Sequence, residues 1–478
     1  MDKFFELIVL ILESIFKLFG ELLGLIFDSV GKRKHAYTAD FVSERRLLSR
    51  HHTGFCITGR RNLSNKDSYV NALIMGGTGT GKSSVVICPS LMSMTGSFFI
   101  HDPAGDLHTF CSGHLVSRGY TVKVLHFSRP EISAQYNPLE RVYTSSDIQK
   151  IASLLVSNAL SSGKEDPFWS NSAIALLCLL ITILLKSQPK QFQNLYNVRH
   201  LLAKMSSDPH QVDALFDHYA DPVLKSEYTA FIASDDKVVS GVLATVRAAL
   251  NLFADESIAQ VTAGDTLDME NFRKKPTAIF IQNGTADARY FAPLTSLLFE
   301  QIFASLLKKL PEKDEQDAYL LIDEAATLTL PTLPLFVANA RKYRAGSLIC
   351  VQNYTQLVHS YKLQNAEAIR ANCFTKMYFT GQPLDTCKEL EDTLGKFEFK
   401  DEEGKVILRS LMTADEIRTM LVDCAILICG HHPPIRARLR PYYKRRDFRR
   451  YSQLPPAPYT DSACSPLLLV SLPNVEKE

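Results

Sequence analysis

A chain of 478 residues is longer than one hydrophobic core usually serves, so it divides into two or more folded units. A hydrophobic share of 46% against 22% charged excludes wholesale disorder, and a net charge of +2 excludes a global basic field, so nucleic-acid contacts must come from local patches. The ten cysteines stand singly without a C-x-x-C pair, which argues against zinc ribbons and redox motifs and reads as packing in a reducing cytosol.

Residues 1–34 are the most biased stretch, dominated by Leu, Ile and Phe as far as Phe27. The charges Glu6, Glu13, Lys17 and Glu21 fall on one helical stripe together with Gly20 and Gly24, so the segment reads as an amphipathic helix. Charges inside the apolar region and the lack of a small-residue cleavage site exclude a secretory signal. Three readings stay open: an interfacial helix, a spanning helix whose polar stripe faces sister helices, and a soluble helix packed on a partner. Gly31-Lys32-Arg33-Lys34 would hold its end on the cytoplasmic side.

The next element is a phosphate loop. NALIM predicts a strand, Gly76-Gly77-Thr78-Gly79-Thr80-Gly81-Lys82-Ser83 follows it, and Ser84 onward continues as a helix. Glycines 76, 79 and 81 let backbone N–H groups turn onto phosphate oxygens, with Lys82 reaching the β and γ phosphates of ATP and Ser83 holding Mg2+. The apolar runs FFIHD, VKVLHF, TAIFIQN, AYLLID, SLICVQN, TKMYFTG and CAILICG suit buried parallel strands alternating with helices. At the end of AYLLID, Asp323 is expected to bind Mg2+ mainly through water, and Glu324 to polarise the water that attacks the γ phosphate. Gln352 ends SLICVQN, where an amide can sense the γ phosphate.

Residues 145–274 carry helical spacing and few strand signals. The run Ala173–Leu185 is too short to span a bilayer and reads as a core helix, begun by Asp166-Pro167 and packed over Trp169. Near the other end, residues 435–451 form a basic patch interleaved with aromatics, suited to phosphate contact and base stacking. Arg436, Arg438 and Arg440 alternate along a predicted strand and so share a face. The tail after Leu454 reads as an extended linker with a short apolar docking segment. The resulting organisation is 1–34 N-terminal helix, 35–144 and 275–451 nucleotide-binding domain in two parts, 145–274 inserted all-α domain, and 452–478 tail.

In order, GFCITGRR, the phosphate loop, FFIHDPAGDL, YNPLE, DPFWSNSA, LLIDEA, VQNYTQL and LMTADEI resemble the type IV secretion coupling proteins. These are TraG/TraD-like ATPases of conjugative DNA transfer, in the FtsK/HerA group of ring motors, and the resemblance runs from Tyr37 to Tyr443. It implies a RecA-like P-loop motor domain with an inserted all-α domain, a homo-hexamer around DNA, ATP and Mg2+ as cofactors, and partners in a relaxase and a secretion channel. It also implies attachment to the cytoplasmic face of the bacterial inner membrane by N-terminal helices. The family pattern DPKGE is here Asp102-Pro103-Ala104-Gly105-Asp106, and the family's two spanning helices are here one amphipathic helix, so a separate membrane subunit can substitute. Arg341 best matches the arginine that the family supplies from the next subunit, with Arg344 as the alternative. Two other functional readings stay open: a ring translocase acting on DNA inside the cell, and an adaptor that uses nucleotide for assembly.

Overall fold

The computed structural model describes residues 37–160, 167–284, 286–400, 402–459 and 466–472. The N-terminal helix reading, and Asp166 with it, lies outside them. The described residues fall into two compact units. The smaller comprises the chain up to Phe41 with Leu384–Ile417, and the larger comprises Val42–Pro383 with the chain from Arg418 onward.

Eleven strands occur among the described residues: β1 (Ala72–Met75), β2 (Ser97–His101), β3 (Thr121–Leu125), β4 (Thr277–Ile281), β5 (Ala318–Ile322), β6 (Ala345–Val351), β7 (Thr375–Phe379), β8 (Lys396–Lys400), β9 (Val406–Ser410), β10 (Cys424–Cys429) and β11 (Ile435–Arg438). All but β8 and β9 form one sheet in the larger unit, in the order β11-β10-β7-β1-β6-β5-β2-β4-β3. From β7 to β3 every pairing is parallel. The run CAILICG departs from expectation, because its strand β10 lies antiparallel to β7 and turns through a hairpin into β11. Its sequence carries no sign of this: a strand covered on both faces is uniformly apolar whichever way it runs.

The phosphate loop leads into wide helical turns at Lys82–Ile87 and then helix α1 (Cys88–Ser93). Helix α2 (Asp106–Ser117) joins β2 to β3. The segment between β3 and β4 carries α3 (Ser145–Ala159), α4 (Pro167–Ser187), α5 (Leu195–Ser207), α6 (Pro209–Tyr219), α7 (Pro222–Ile232), α8 (Asp236–Ala249) and α9 (Glu256–Val261). Helix α4 sits at the centre, against α3, α5 and α8, which explains why it is apolar on all sides. Trp169 in its first turn lies on α8 at Gly241, where a Cβ would come within 2.5 Å of the indole. By length and composition α4 and α10 (Ala288–Lys308) could each cross a membrane. Yet Leu177, Leu180 and Leu184 of α4, and Leu294, Leu298 and Ile302 of α10, are fully buried in the larger unit.

After β5 and β6 come α11 (Leu333–Asn339) and α12 (Tyr354–Ala371), the latter broken at Lys362, whose φ is 64°. The described cysteines are buried, apart from the half-buried Cys178. The smaller unit holds α13 (Leu384–Leu394) and the β8–β9 hairpin, with Thr38 bridged to Phe397. There Glu391 accepts from Ser410 Oγ and from the Ala414 backbone N–H, each at 2.8 Å.

The fold expected from the sequence is thus present, as a P-loop α/β sheet with an all-α insert. Its edge architecture was not expected.

Candidate functional site

In a sheet whose central strands run parallel, all their carboxyl ends meet on one rim, and ligands bind there. β1, β6, β5 and β2 are neighbours in that sheet, so the residues just past each converge. These are the phosphate loop after β1, Gln352 after β6, Asp323 and Glu324 after β5, and His101 at the end of β2. All but His101, which is buried beneath them, open onto a cleft of about 1160 Å3 that α12 also lines, through Gln356, His359 and Ser360.

The tip of the loop is open at Thr78 and Gly79, whereas the Gly76 N–H donates to the Val351 carbonyl at 3.1 Å and the Thr80 N–H to the Gly77 carbonyl at 3.3 Å. Gly79 and Gly81 take φ of 77° and 101°, a region that side chains disfavour. A Cβ added at Gly79 meets nothing within 4 Å, whereas at Gly76 it would come within 2.7 Å of Thr80 Oγ1 and 2.9 Å of Phe379. Gly76 is therefore glycine for packing, and Gly79 and Gly81 for backbone conformation. Thr80 Oγ1 and Ser84 Oγ donate to the carbonyls of Gly77 and Gly81, bracing the turn, while Thr78 stays exposed. Lys82 is 8% exposed and its ammonium donates to the carbonyls of Gly76 at 2.6 Å and Gly77 at 3.3 Å.

Across the cleft, Ser83 Oγ donates to Asp323 Oδ2 at 2.7 Å. Gln352 Nε2 donates to Glu324 Oε2 at 3.3 Å. Glu324 has φ of 57°, a costly conformation for a non-glycine residue and one that concentrates at functional sites. The structure thus brings together Lys82, Ser83, Asp323, Glu324 and Gln352. Fit to a nucleotide rests on the open Gly79 turn and the buried Lys82. Fit to a hard divalent cation rests on the hydroxyl and carboxylate oxygens of Ser83 and Asp323.

Arg341 stands apart. It lies exposed before β6, at the opposite end of a seven-residue strand from Gln352, so about 20 Å separates it from this rim. No side-chain partner is found for it among the described residues. Arg344 is structural instead: its guanidinium pairs with Asp317 at 2.8 Å and donates to the carbonyls of Glu312 and Glu315.

Two contributors escaped the sequence reading. His101 Nδ1 lies 2.6 Å from the Asp323 carbonyl, which can only accept, so Nδ1 carries the proton. Burial holds this imidazole below its ordinary pKa, keeping it neutral while it fixes the acidic turn. Gln382 donates to the carbonyls of Met75 and Phe379, tying the base of the phosphate loop to β7. His101 was visible in FFIHD as a polar residue ending an apolar run, but Gln382 had no such signal.

In the Asp102–Asp106 stretch, the helix cap is Asp102, while Asp106 is exposed in the first turn of α2. Asp102, 2% exposed, accepts the backbone N–H of Leu107 at 3.1 Å and of His108 at 2.8 Å. Burial pushes its carboxyl up to about 6, against those N–H groups and the Gln282 amide. A raised folded pKa adds stability that is complete below 3.8 and is lost as pH rises through about 6. Asp102→Asn should therefore gain on the wild type between pH 4.5 and 7.5, by about 2 kcal/mol in denaturant unfolding. A difference that does not change with pH would contradict this.

The basic patch divides. Arg436 and Arg438 are exposed on the outer strand β11, as are Arg446, Arg449 and Arg450 beyond it. Arg445, however, is paired with Asp447 and donates to the Gly59 carbonyl. Of the four aromatics in 435–451 only Tyr443 is well exposed; Phe448 is buried and Tyr451 stacks on His114 at 3.9 Å. The interleaved aromatics thus serve mainly to pin α14 (Arg446–Tyr451) onto the sheet domain.

Comparison with known proteins agrees with this architecture. The family model described as "Type IV secretory system Conjugative DNA transfer" matches residues 29–462. Protein VirD4 of Rhizobium radiobacter is 22% identical over 414 residues, covering 80% of this chain and 58% of that protein, so the chain spans somewhat over half the length of such relatives. The bacterial conjugative coupling protein TrwB in complex with sulphate has a TM-score of 0.66 at 18% identity, covering 86% of this chain and 96% of that one. TrwB in complex with ADP and Mg2+ also gives 0.66, at 19% identity, covering 86% and 95%. This chain has their fold.

Proposed function

Because the chain belongs to the type IV secretory system conjugative DNA-transfer family, we propose that it is an ATP-hydrolysing coupling protein that brings DNA, or relaxase-bound DNA, to a secretion channel and pumps it in. The observation that carries this is the pairing of Ser83 with Asp323 and of Gln352 with Glu324 across one cleft, which joins a phosphate grip to an acidic turn. The nucleotide-bound structures of TrwB support the cofactor assignment.

In this reading N–H groups of the loop from Gly77 to Ser84 and the Lys82 ammonium hold the phosphates, so Lys82 exchanges its loop carbonyls for phosphate oxygens, while the Gly76 N–H stays on the Val351 carbonyl. Ser83 and Asp323 would hold Mg2+, mainly through water, and the ion would supply neutralisation of phosphate charge there. Glu324 accepts a proton from the attacking water. Gln352, bonded to Glu324, is placed to couple the state of the γ phosphate to β6. Arg341 completes the site of the next subunit in a homo-hexamer, and Arg436 and Arg438 meet DNA phosphates. Residues 1–34 attach the protein to the cytoplasmic face of the inner membrane, directly or through a membrane subunit.

Purified assembled protein should hydrolyse ATP faster when DNA is added, and the rate per subunit should rise with protein concentration as rings form. An assembled protein without turnover would sink the motor reading and leave the adaptor. Deleting residues 1–34 should move the protein from the membrane fraction to the soluble one; unchanged fractionation would refute the attachment.

A further inference from the structure

The tail after Leu454 is tied down at two places by its backbone. First it crosses α2: a Cβ at Gly113 would come within 2.1 Å of the Pro455 carbonyl oxygen, and the Ala457 N–H donates to Ser112 Oγ at 2.8 Å. Tyr459 then stacks on His108 at 5.0 Å. Further on, residues 466–472 lie on the helical insert at the start of α5, where Asn197 is fully buried.

The Asn197 amide is matched to this segment. Nδ2 donates to the Leu468 carbonyl at 3.0 Å, and Oδ1 accepts the Val470 N–H at 3.0 Å. The second Nδ2 hydrogen goes to the Phe192 carbonyl, also at 3.0 Å. A carbonyl and the N–H two residues later lie on one edge of an extended chain, and a parallel neighbouring strand engages that same pair. Asn197 therefore stands in for one peptide unit of a neighbouring strand. Its own backbone N–H is capped by Asn194 Oδ1 at 3.0 Å, which fixes the turn that aims it. Of the segment's side chains, Val470 is 3% exposed, whereas Leu468 and Leu469 are 38% and 49% exposed. Recognition thus reads the backbone and one small apolar side chain, and it tolerates variation on either side.

We propose that the helical insert carries a binding site for an extended apolar peptide, centred on Asn197, and that residues 466–472 occupy it in cis. A partner protein presenting an extended segment of the same chemistry, with a free N–H and a small apolar side chain at the Val470 position, takes the site when the tail leaves. Intramolecular occupancy acts as a high local concentration of competitor and so sets the threshold for that exchange. This site is independent of the nucleotide reading.

The test titrates a fluorescent peptide of sequence SPLLLVSL, residues 465–472, into the full chain. Val470→Asp, which puts a charge into the buried position and frees the site, should bind it at least tenfold more tightly than the wild type. The same peptide carrying Val470→Pro, which lacks the N–H, should bind the freed chain at least tenfold more weakly. So should the unaltered peptide on Val470→Asp combined with Asn197→Ala. Equal affinity of wild type and Val470→Asp, or binding indifferent to the proline, would overturn the proposal. Because the proline arm leaves the protein unchanged, a poorly folded Asn197→Ala chain does not spoil the test.

Discussion

Glu324→Gln should lower the rate of ATP hydrolysis by about 10²–10⁴-fold while leaving nucleotide affinity within a few-fold of the wild type. The substitution keeps shape and can still hydrogen bond to Gln352, which lies 3.3 Å away, but an amide cannot take a proton from water. Lys82→Ala should behave differently, losing nucleotide affinity and turnover together, because on the proposed role the buried ammonium would contact phosphate in both ground and transition states. Single-turnover hydrolysis together with a nucleotide-binding titration separates the two. A Glu324→Gln protein hydrolysing within threefold of the wild type would remove Glu324 from the chemistry and shift attention to His101 and the Asp323 turn.

Arg341→Ala should reduce hydrolysis by about 10³-fold or more in the assembled protein, the usual effect of losing an arginine supplied across an interface. The proposed role is a trans one, since the length of β6 separates Arg341 from the rim of its own subunit. Mixing Arg341→Ala with Lys82→Ala subunits should therefore restore part of the activity: a Lys82→Ala subunit donates Arg341 to an intact phosphate loop next door. No recovery on mixing, with rings formed, would count against the assignment. Arg344→Ala should instead lower the unfolding midpoint, because it leaves Asp317, which is also bonded to Tyr69 and Asn65, without its cation.

How much of this was readable in advance depends on distance along the chain. The phosphate loop is local: eight consecutive residues set their own backbone geometry, so Gly79, Gly81 and Lys82 announced themselves. The acidic turn was readable because Asp323 and Glu324 interrupt an apolar run, and Gln352 and His101 carry the same signature. Gln382 did not, since its role comes from carbonyls of β1 and β7, one of them some 300 residues away. The basic patch misled in part for the opposite reason. Arg445, Phe448 and Tyr451 look like neighbours of Arg436 in one DNA-binding run, yet they face inward onto Gly59 and α2.

By itself the sequence determined the kind of elements and the kind of chemistry, because hydrophobic period, glycine placement and an acid after a buried strand are all local consequences of side-chain size, solvation and φ preference. Only the tertiary structure decided the rest. Strand order set which strand ends share a rim, so that Ser83 meets Asp323 at a sequence separation of 240. It reversed β10, it assigned Arg344 to structure while Arg341 stays exposed, and it laid Val470 against Asn197. Each of these is a pairing between distant segments, and a pairing of that kind is fixed by packing and hydrogen-bond satisfaction in three dimensions, which neither segment encodes alone.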